Sequence, residues 1–199
     1  MKEFFAQRRP HGGLTFEMYV QLMRLEVAKC KGVETASSSG VNRDRLSLNL
    51  QRTERLKRLF QPKAETRVIV SRLQTPQLWM VLSEISCGDS AQNLPVIAAM
   101  AALNPLIDLR ILLRDANEDI MELYLTGGTR SIPKLVAFTE KGREIFRWGP
   151  RPAAAREIFV AGKADGVPKE KIIEKIHLFY GRDRGHSVEL EIAEILTRD

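Results

Sequence analysis

Cysteine is almost absent from this sequence: Cys30 and Cys87 are the only two in 199 residues. Two thiols cannot staple a small secreted fold, and they fit a reducing compartment. Long apolar runs are missing as well. The longest unbroken one, Val96 to Leu103, is far short of the roughly 20 residues that a membrane span requires, so no membrane role is expected. The opening stretch breaks into charge at Lys2, Glu3, Arg8 and Arg9 before a signal-peptide core can form, and the expectation is a soluble cytoplasmic protein. Histidine is sparse. His11, His177 and His186 lie far apart without metal-ligand spacing, so neither a metal nor any other cofactor is expected. There is no internal repeat.

What is present is enough for one domain with a full core, since 44% of the residues are hydrophobic. Lys and Arg number 31 against 25 acidic residues, a net charge of +6. The basic stretches Arg43 to Arg58 and Arg143 to Arg156 are interleaved with acids and read as solvated helix faces. Nucleic acid is therefore not the expected partner; a salt-sensitive contact through the basic N-terminal helices is the weaker alternative.

Along the chain, Phe16, Tyr19, Val20, Met23 and Val27 recur at helical spacing, with a start signal at Thr15-Phe16-Glu17. A Gly/Ser-rich break from Gly32 to Gly40 precedes a second helical pattern that runs to Phe60 and is ended by Pro62. Thr66 to Leu73 is ambiguous by pattern, its Val68-Ile69-Val70 favouring a strand by composition. Beyond Pro76 strands and helices alternate. Leu78 to Leu82 suits a strand buried on both faces; Asp89 to Leu103 reads as a helix; Leu106 to Leu113 is a second strand; Asn117 to Leu125 is a short helix. Lys134 to Phe138 and Glu144 to Trp148 flank a turn and predict a hairpin. Helices are predicted from Pro152 through Val160, from Pro168 to Tyr180 and from Val188 to Leu196, with Trp79 and Trp148 in the core.

Cys87 stands between the first strand and the helix after it, in Ser86-Cys87-Gly88-Asp89-Ser90. The first N–H groups of a helix lack partners, and their partial positive charge favours thiolate over thiol. A thiol pKa below the ordinary value is the expectation, helped by a hydroxyl at Ser90 and opposed by the charge of Asp89. No Cys-x-x-Cys disulfide can close here, because Ser90 occupies the fourth position.

A β-α-β unit followed by a helix and a hairpin, with a cysteine at the first strand-to-helix junction, resembles the thioredoxin fold. Pro95 lies eight residues beyond Cys87, where thioredoxins kink their active-site helix, and Ile132-Pro133 precedes the third strand, where the family carries a cis-proline facing the cysteine. The segments Cys87 to Pro95, with its Cys-Gly-Asp-x-Ala-Gln pattern, Leu112 to Asp115, Arg130 to Leu135 and Trp148 to Pro152 resemble a bacterial branch of thioredoxin-like proteins. The resemblance implies an α/β thioredoxin-like fold, a central mixed sheet flanked by helices, with helical extensions at both ends. It divides the chain into an extension over 1–64, a core over 65–163 and a second extension over 164–199, all in one compact domain, and tips Thr66 to Leu73 toward helix.

For function, the resemblance implies a single-cysteine thiol–disulfide oxidoreductase, with Cys87 as nucleophile and Ser90 stabilising it. Gly88, Asp89, Ile132, Pro133 and Arg130 would bind a protein disulfide or a low-molecular-weight thiol. A Cys-x-x-Ser pattern, as in Cys87 to Ser90, also occurs in monothiol glutaredoxins, which work through a mixed disulfide with a low-molecular-weight thiol. Three departures point the other way, to a redox-inactive module that binds a protein partner. Ser86 replaces the usual tryptophan, Ser90 the second cysteine, and Val81 the usual buried acid, for which Glu84 is the nearest substitute. Gly127-Gly128-Thr129-Arg130 reads as a helix stop, with an anion-binding turn as the sharper alternative in which Arg130 takes a carboxylate. Cys30 reads as buried filler rather than a resolving thiol.

Overall fold

The computed structural model describes residues 3–7, 9–31 and 38–198. Most of the Gly/Ser-rich break, and the side chain of Cys30, lie outside the described residues. Four helices come first: α1 (Glu3–Ala6), α2 (Phe16–Lys31), α3 (Ser38–Leu59) and α4 (Ala64–Ser71). Thr15 opens α2 by accepting the Met18 N–H at 3.2 Å, which satisfies one of the unpaired donors of its first turn. The ambiguous segment is helical because Thr66 and Val70, four residues apart, are the positions of α4 that are buried.

The core that follows is β1 (Gln77–Ser83), α5 (Gly88–Ala101), β2 (Ile107–Leu113), α6 (Glu118–Glu122) and the hairpin β3 (Lys134–Thr139) and β4 (Glu144–Trp148). The sheet order is β2-β1-β3-β4. β1 pairs parallel with β2 and antiparallel with β3, which pairs antiparallel with β4. The apolar run of β1 is buried along its whole length because both faces of the sheet are covered. Trp79 and Val81 point into a core shared with Tyr19, Leu56, Phe60, Leu94, Ile97 and Val188. Leu78, Met80 and Leu82 point the other way, against Phe4, Phe5, Ile120, Tyr124 and Phe138. The chain closes with α7 (Ala153–Ala164), α8 (Lys169–Asp183) and α9 (His186–Leu196), α7 and α8 sharing a smaller cluster of Ala155, Ile172, Ile176 and Tyr180.

Two features of this packing position the site. Pro95 sits inside α5, so it has no N–H for the carbonyl four residues back, that of Ala91. The buried Thr53 hydroxyl of α3 donates to that carbonyl at 3.4 Å, and α3 thus completes a bond that α5 cannot make for itself. On the other side, Gly149 has φ +108° and approaches the Pro133 carbonyl so closely that a Cβ would lie 2.3 Å from its oxygen. Only glycine fits there, and the Trp148–Arg151 loop is pressed against the Pro133 loop. The peptide bonds Ile132–Pro133 and Gly149–Pro150 are both cis, the second unforeseen from the sequence.

Candidate active site around Cys87

Cys87 is the N-cap of α5, and its sulfur accepts the Ser90 N–H at 3.4 Å. Its thiol donates to the Ile132 carbonyl at 3.4 Å, across from the helix. The expected pairing of Cys87 with the Ile132-Pro133 loop is therefore present. Ser90 is fully buried, and its hydroxyl has no hydrogen-bond partner of its own.

Asp89 is not a free carboxylate. Arg151 holds it through Nε to Oδ1 at 3.0 Å and Nη2 to Oδ2 at 2.6 Å, with the two side chains only 17% and 12% exposed. Tyr180 donates its hydroxyl to Oδ1 at 2.8 Å. Asn93, fully buried one turn along α5, donates to the Tyr180 oxygen and to the Pro150 carbonyl, each at 3.2 Å. Arg151 also lies over the Phe159 ring, 4.8 Å from its centre. The β4–α7 loop, α7 and α8 are thus bound to the first turn of α5 through one carboxylate.

Gly88 has a structural reason to lack a side chain: a Cβ there would lie 2.9 Å from the His177 ring of α8. The same Cβ would lie 3.6 Å from Nη1 of Arg52 in α3. Arg52 Nη1 is 3.3 Å from His177 Nε2 and 3.3 Å from the Asn49 oxygen to which it donates. Asn49 is buried and donates to the Ile85 carbonyl at 3.3 Å. Burial, then the Arg52 charge, push the His177 pKa down to about 4; the imidazole is neutral at neutral pH.

The expected low thiol pKa is corrected by this geometry. Burial pushes the Cys87 pKa up, the Asp89 carboxylate adds to that, and the Ser90 and Asp89 amides with the nearby Ser90 side chain offset it only in part. The helix N-terminus is present as read, but the sulfur packs against the Leu82 side of the core, and desolvation of a charge outweighs two or three long hydrogen bonds.

The remaining residues are placed as follows. Arg130 turns to α6, where its guanidinium pairs with Glu122 at 2.5 Å and Glu118 at 2.8 Å. Its side chain is not brought to Cys87. Gly127 and Gly128 have φ of +55° and +73° and form a two-residue turn closed by Thr126 and Thr129, rather than a plain helix stop. Glu84 accepts the Asp115 N–H at 2.9 Å and does not enter the core as a buried acid, while Val81 is fully buried. Among the described residues no group of three or more His, Cys, Asp or Glu could hold a metal ion, and no helix is long and apolar enough to cross a membrane. Sequence reasoning did not assign Arg52, His177 or Tyr180 to the site, and covered Asn93 and Arg151 only within the family-like segments Cys87 to Pro95 and Trp148 to Pro152.

A mixed sheet with a cysteine capping the helix after its first strand, facing a proline loop, defines a thioredoxin-like protein. A thioredoxin family model matches residues 40–167, and the chain belongs to that family. Two solved structures share the fold. A protein of unknown function from Pseudomonas aeruginosa is 20% identical, with a TM-score of 0.57 over 93% of this chain and 90% of its own. An HIV epitope scaffold is 18% identical, with a TM-score of 0.59 over 94% of each chain. A search among curated proteins found no match.

Proposed function

We propose that this chain is a single-cysteine thiol–disulfide oxidoreductase working through a mixed disulfide at Cys87. The observation that carries the reading is the placing of the Cys87 sulfur between the Ser90 amide and the Ile132 carbonyl, beside a buried hydroxyl with no other partner. In the resting state the S–H donor is engaged by Ile132. A substrate N–H that docks on the same carbonyl displaces that donor, which removes one of the contacts favouring the neutral thiol. The Cys87 proton then leaves to solvent and the thiolate attacks one sulfur of the substrate disulfide. A new S–S bond forms to Cys87, and the other substrate sulfur departs as a thiolate with the bonding pair and is protonated. With Ser90 in place of a second cysteine, a second thiol molecule must release the adduct. The test is to incubate the reduced protein with glutathione disulfide and locate the adduct by mass spectrometry. A glutathione adduct on Cys87 that dithiothreitol removes, absent in Cys87→Ser, is expected; no adduct at any pH up to 9 would overturn the reading.

One observation favours a second reading. A thiol whose pKa is raised by burial is less reactive at neutral pH, as suits a thioredoxin-like module that binds a protein partner without redox turnover. The same incubation separates the two.

A further inference from the structure

On the flank of α5, between α3 and α8, lies a cleft of about 320 Å³ lined by Arg52, Arg55, Gln92 and His177. Its charge is of one sign, although the buried Gln92 oxygen, an acceptor without a partner, also lies in the lining. Arg52 and Arg55 are neighbours on one face of α3, both half-buried, and neither makes an ion pair among the described residues. Burial, and the like charge of Arg55, make the Arg52 cation less favourable than usual. The carboxylate that Arg52 feels, that of Asp89, is already held by Arg151. His177 offers no counter-charge, being neutral. Its Nε2 faces the Arg52 donor, so it accepts there and Nδ1 carries the proton; that Nδ1 is buried without a partner. A second hollow runs on from Arg55 past Gly181 to Arg184.

Two half-buried guanidinium groups held side by side with no anion between them cost free energy that a bound anion recovers. The contacts of α3 with the core run through Asn49, Thr53 and Leu56; Arg52 adds its contacts with Asn49 and His177, and neither arginine finds a carboxylate there. The cleft also adjoins the residue that follows the cysteine. Arg52 and His177 are the side chains that crowd Gly88, whose Cα is about 3.8 Å from that of Cys87.

We infer that the Arg52–Arg55 cleft is an anion subsite that selects acidic low-molecular-weight thiols, holding their carboxylate or phosphate while their sulfur exchanges at Cys87. The inference rests on the proposed thiol exchange for its second half and on the cleft alone for its first. In the exchange the Cys87 thiolate forms a bond to one sulfur of the symmetrical disulfide and the other sulfur leaves as thiolate.

The test measures adduct formation at Cys87 with three disulfides, each rate normalised to that of mercaptoethanol with the same reagent. They are dianionic 3,3′-dithiodipropionate, neutral 2-hydroxyethyl disulfide and dicationic cystamine, all with Cys30 replaced. At low salt the dianion is expected to be favoured over the neutral disulfide by about tenfold, and cystamine disfavoured. That ratio should fall toward one in Arg52→Gln/Arg55→Gln, or on raising salt to about 0.5 M. Inorganic phosphate should compete with the dianion and not with the neutral disulfide. Equal normalised rates for all three, or a preference that survives in the double variant, would overturn the subsite. If none of the three modifies Cys87, the exchange reading fails on its own. The cleft is then judged by inorganic phosphate alone: a raised melting temperature in the parent, absent in the double variant, upholds it, and no rise in the parent removes it.

Discussion

The Asp89–Arg151 pair should set the Cys87 pKa, and the two halves of the pair should move it in opposite directions. Asp89→Asn removes the negative charge that raises the thiol pKa and leaves the Arg151 cation beside the sulfur without its partner. Arg151→Met does the reverse. At a separation on the order of 7 Å and an effective dielectric of about 20, one charge is worth roughly 2.4 kcal/mol, or about 1.7 pKa units. Solvent still reaches the partly buried Cys87 and screens part of this, and a change of about one unit is expected for each variant, down for Asp89→Asn and up for Arg151→Met. The double variant should return close to the parent. Stability follows a different pattern. The two side chains are 17% and 12% exposed, and removing one partner of so buried a pair costs about 2–4 kcal/mol, while removing both costs less than the two single losses together. The pH dependence of iodoacetamide alkylation at Cys87, with Cys30 replaced, measures the first pattern, and urea unfolding the second. Single variants that shift the pKa in the same direction, or by less than about 0.3 unit, would refute the account of what raises it.

His177, with a pKa of about 4 against an ordinary value of 6.5, is neutral when folded. Its contribution to stability is complete above pH 6.5 and lost as pH falls toward 4, by about 2 kcal/mol once its partial exposure is allowed for. Urea melts across that range should show the loss in the parent and a flatter profile in His177→Gln. Ser90→Cys puts a second thiol one helical turn from Cys87, within disulfide reach. The variant is expected to oxidise to an internal disulfide and to reduce insulin in the presence of dithiothreitol, which the parent should not do; two free thiols after mild oxidation would count against a thioredoxin-like geometry at this turn. Gly149→Ala would drive a methyl group into the Pro133 carbonyl and should cost about 3 kcal/mol or more. A change in urea midpoint corresponding to under about 1 kcal/mol would mean that the two loops are not locked together.

Much of the fold could be read from pattern because its signals are local. The apolar run of β1, the alternation of Ile107, Leu109 and Ile111 in β2, and the Thr139–Gly142 turn each depend on a few neighbouring residues. The site was legible only along α5 and at Ile132. Arg52, Arg151, His177 and Tyr180 reach Gly88 and Asp89 from elements distant in sequence, and no periodicity records that meeting. Arg130 and Arg151 show why: both are arginines in loops near the site, and the choice between them is made by Glu118 and Glu122 of α6, which take Arg130. The sign of the Cys87 shift failed for a related reason. A helix N-terminus is visible in one dimension, but the depth at which the sulfur sits is not.

The carboxylate of Asp89 is shared by an arginine 62 residues later and a tyrosine 91 residues later. Synthesis adds about 5–20 residues per second, so for roughly 5–20 s the nascent chain carries Cys87 and Asp89 before Tyr180 has been made. During that interval the first turn of α5 lacks the helix that crowds Gly88 and the tyrosine that holds Asp89. The hydrogen-bonded surroundings of Asp89, one of the groups that sets the thiol pKa, are complete only once α8 has been made.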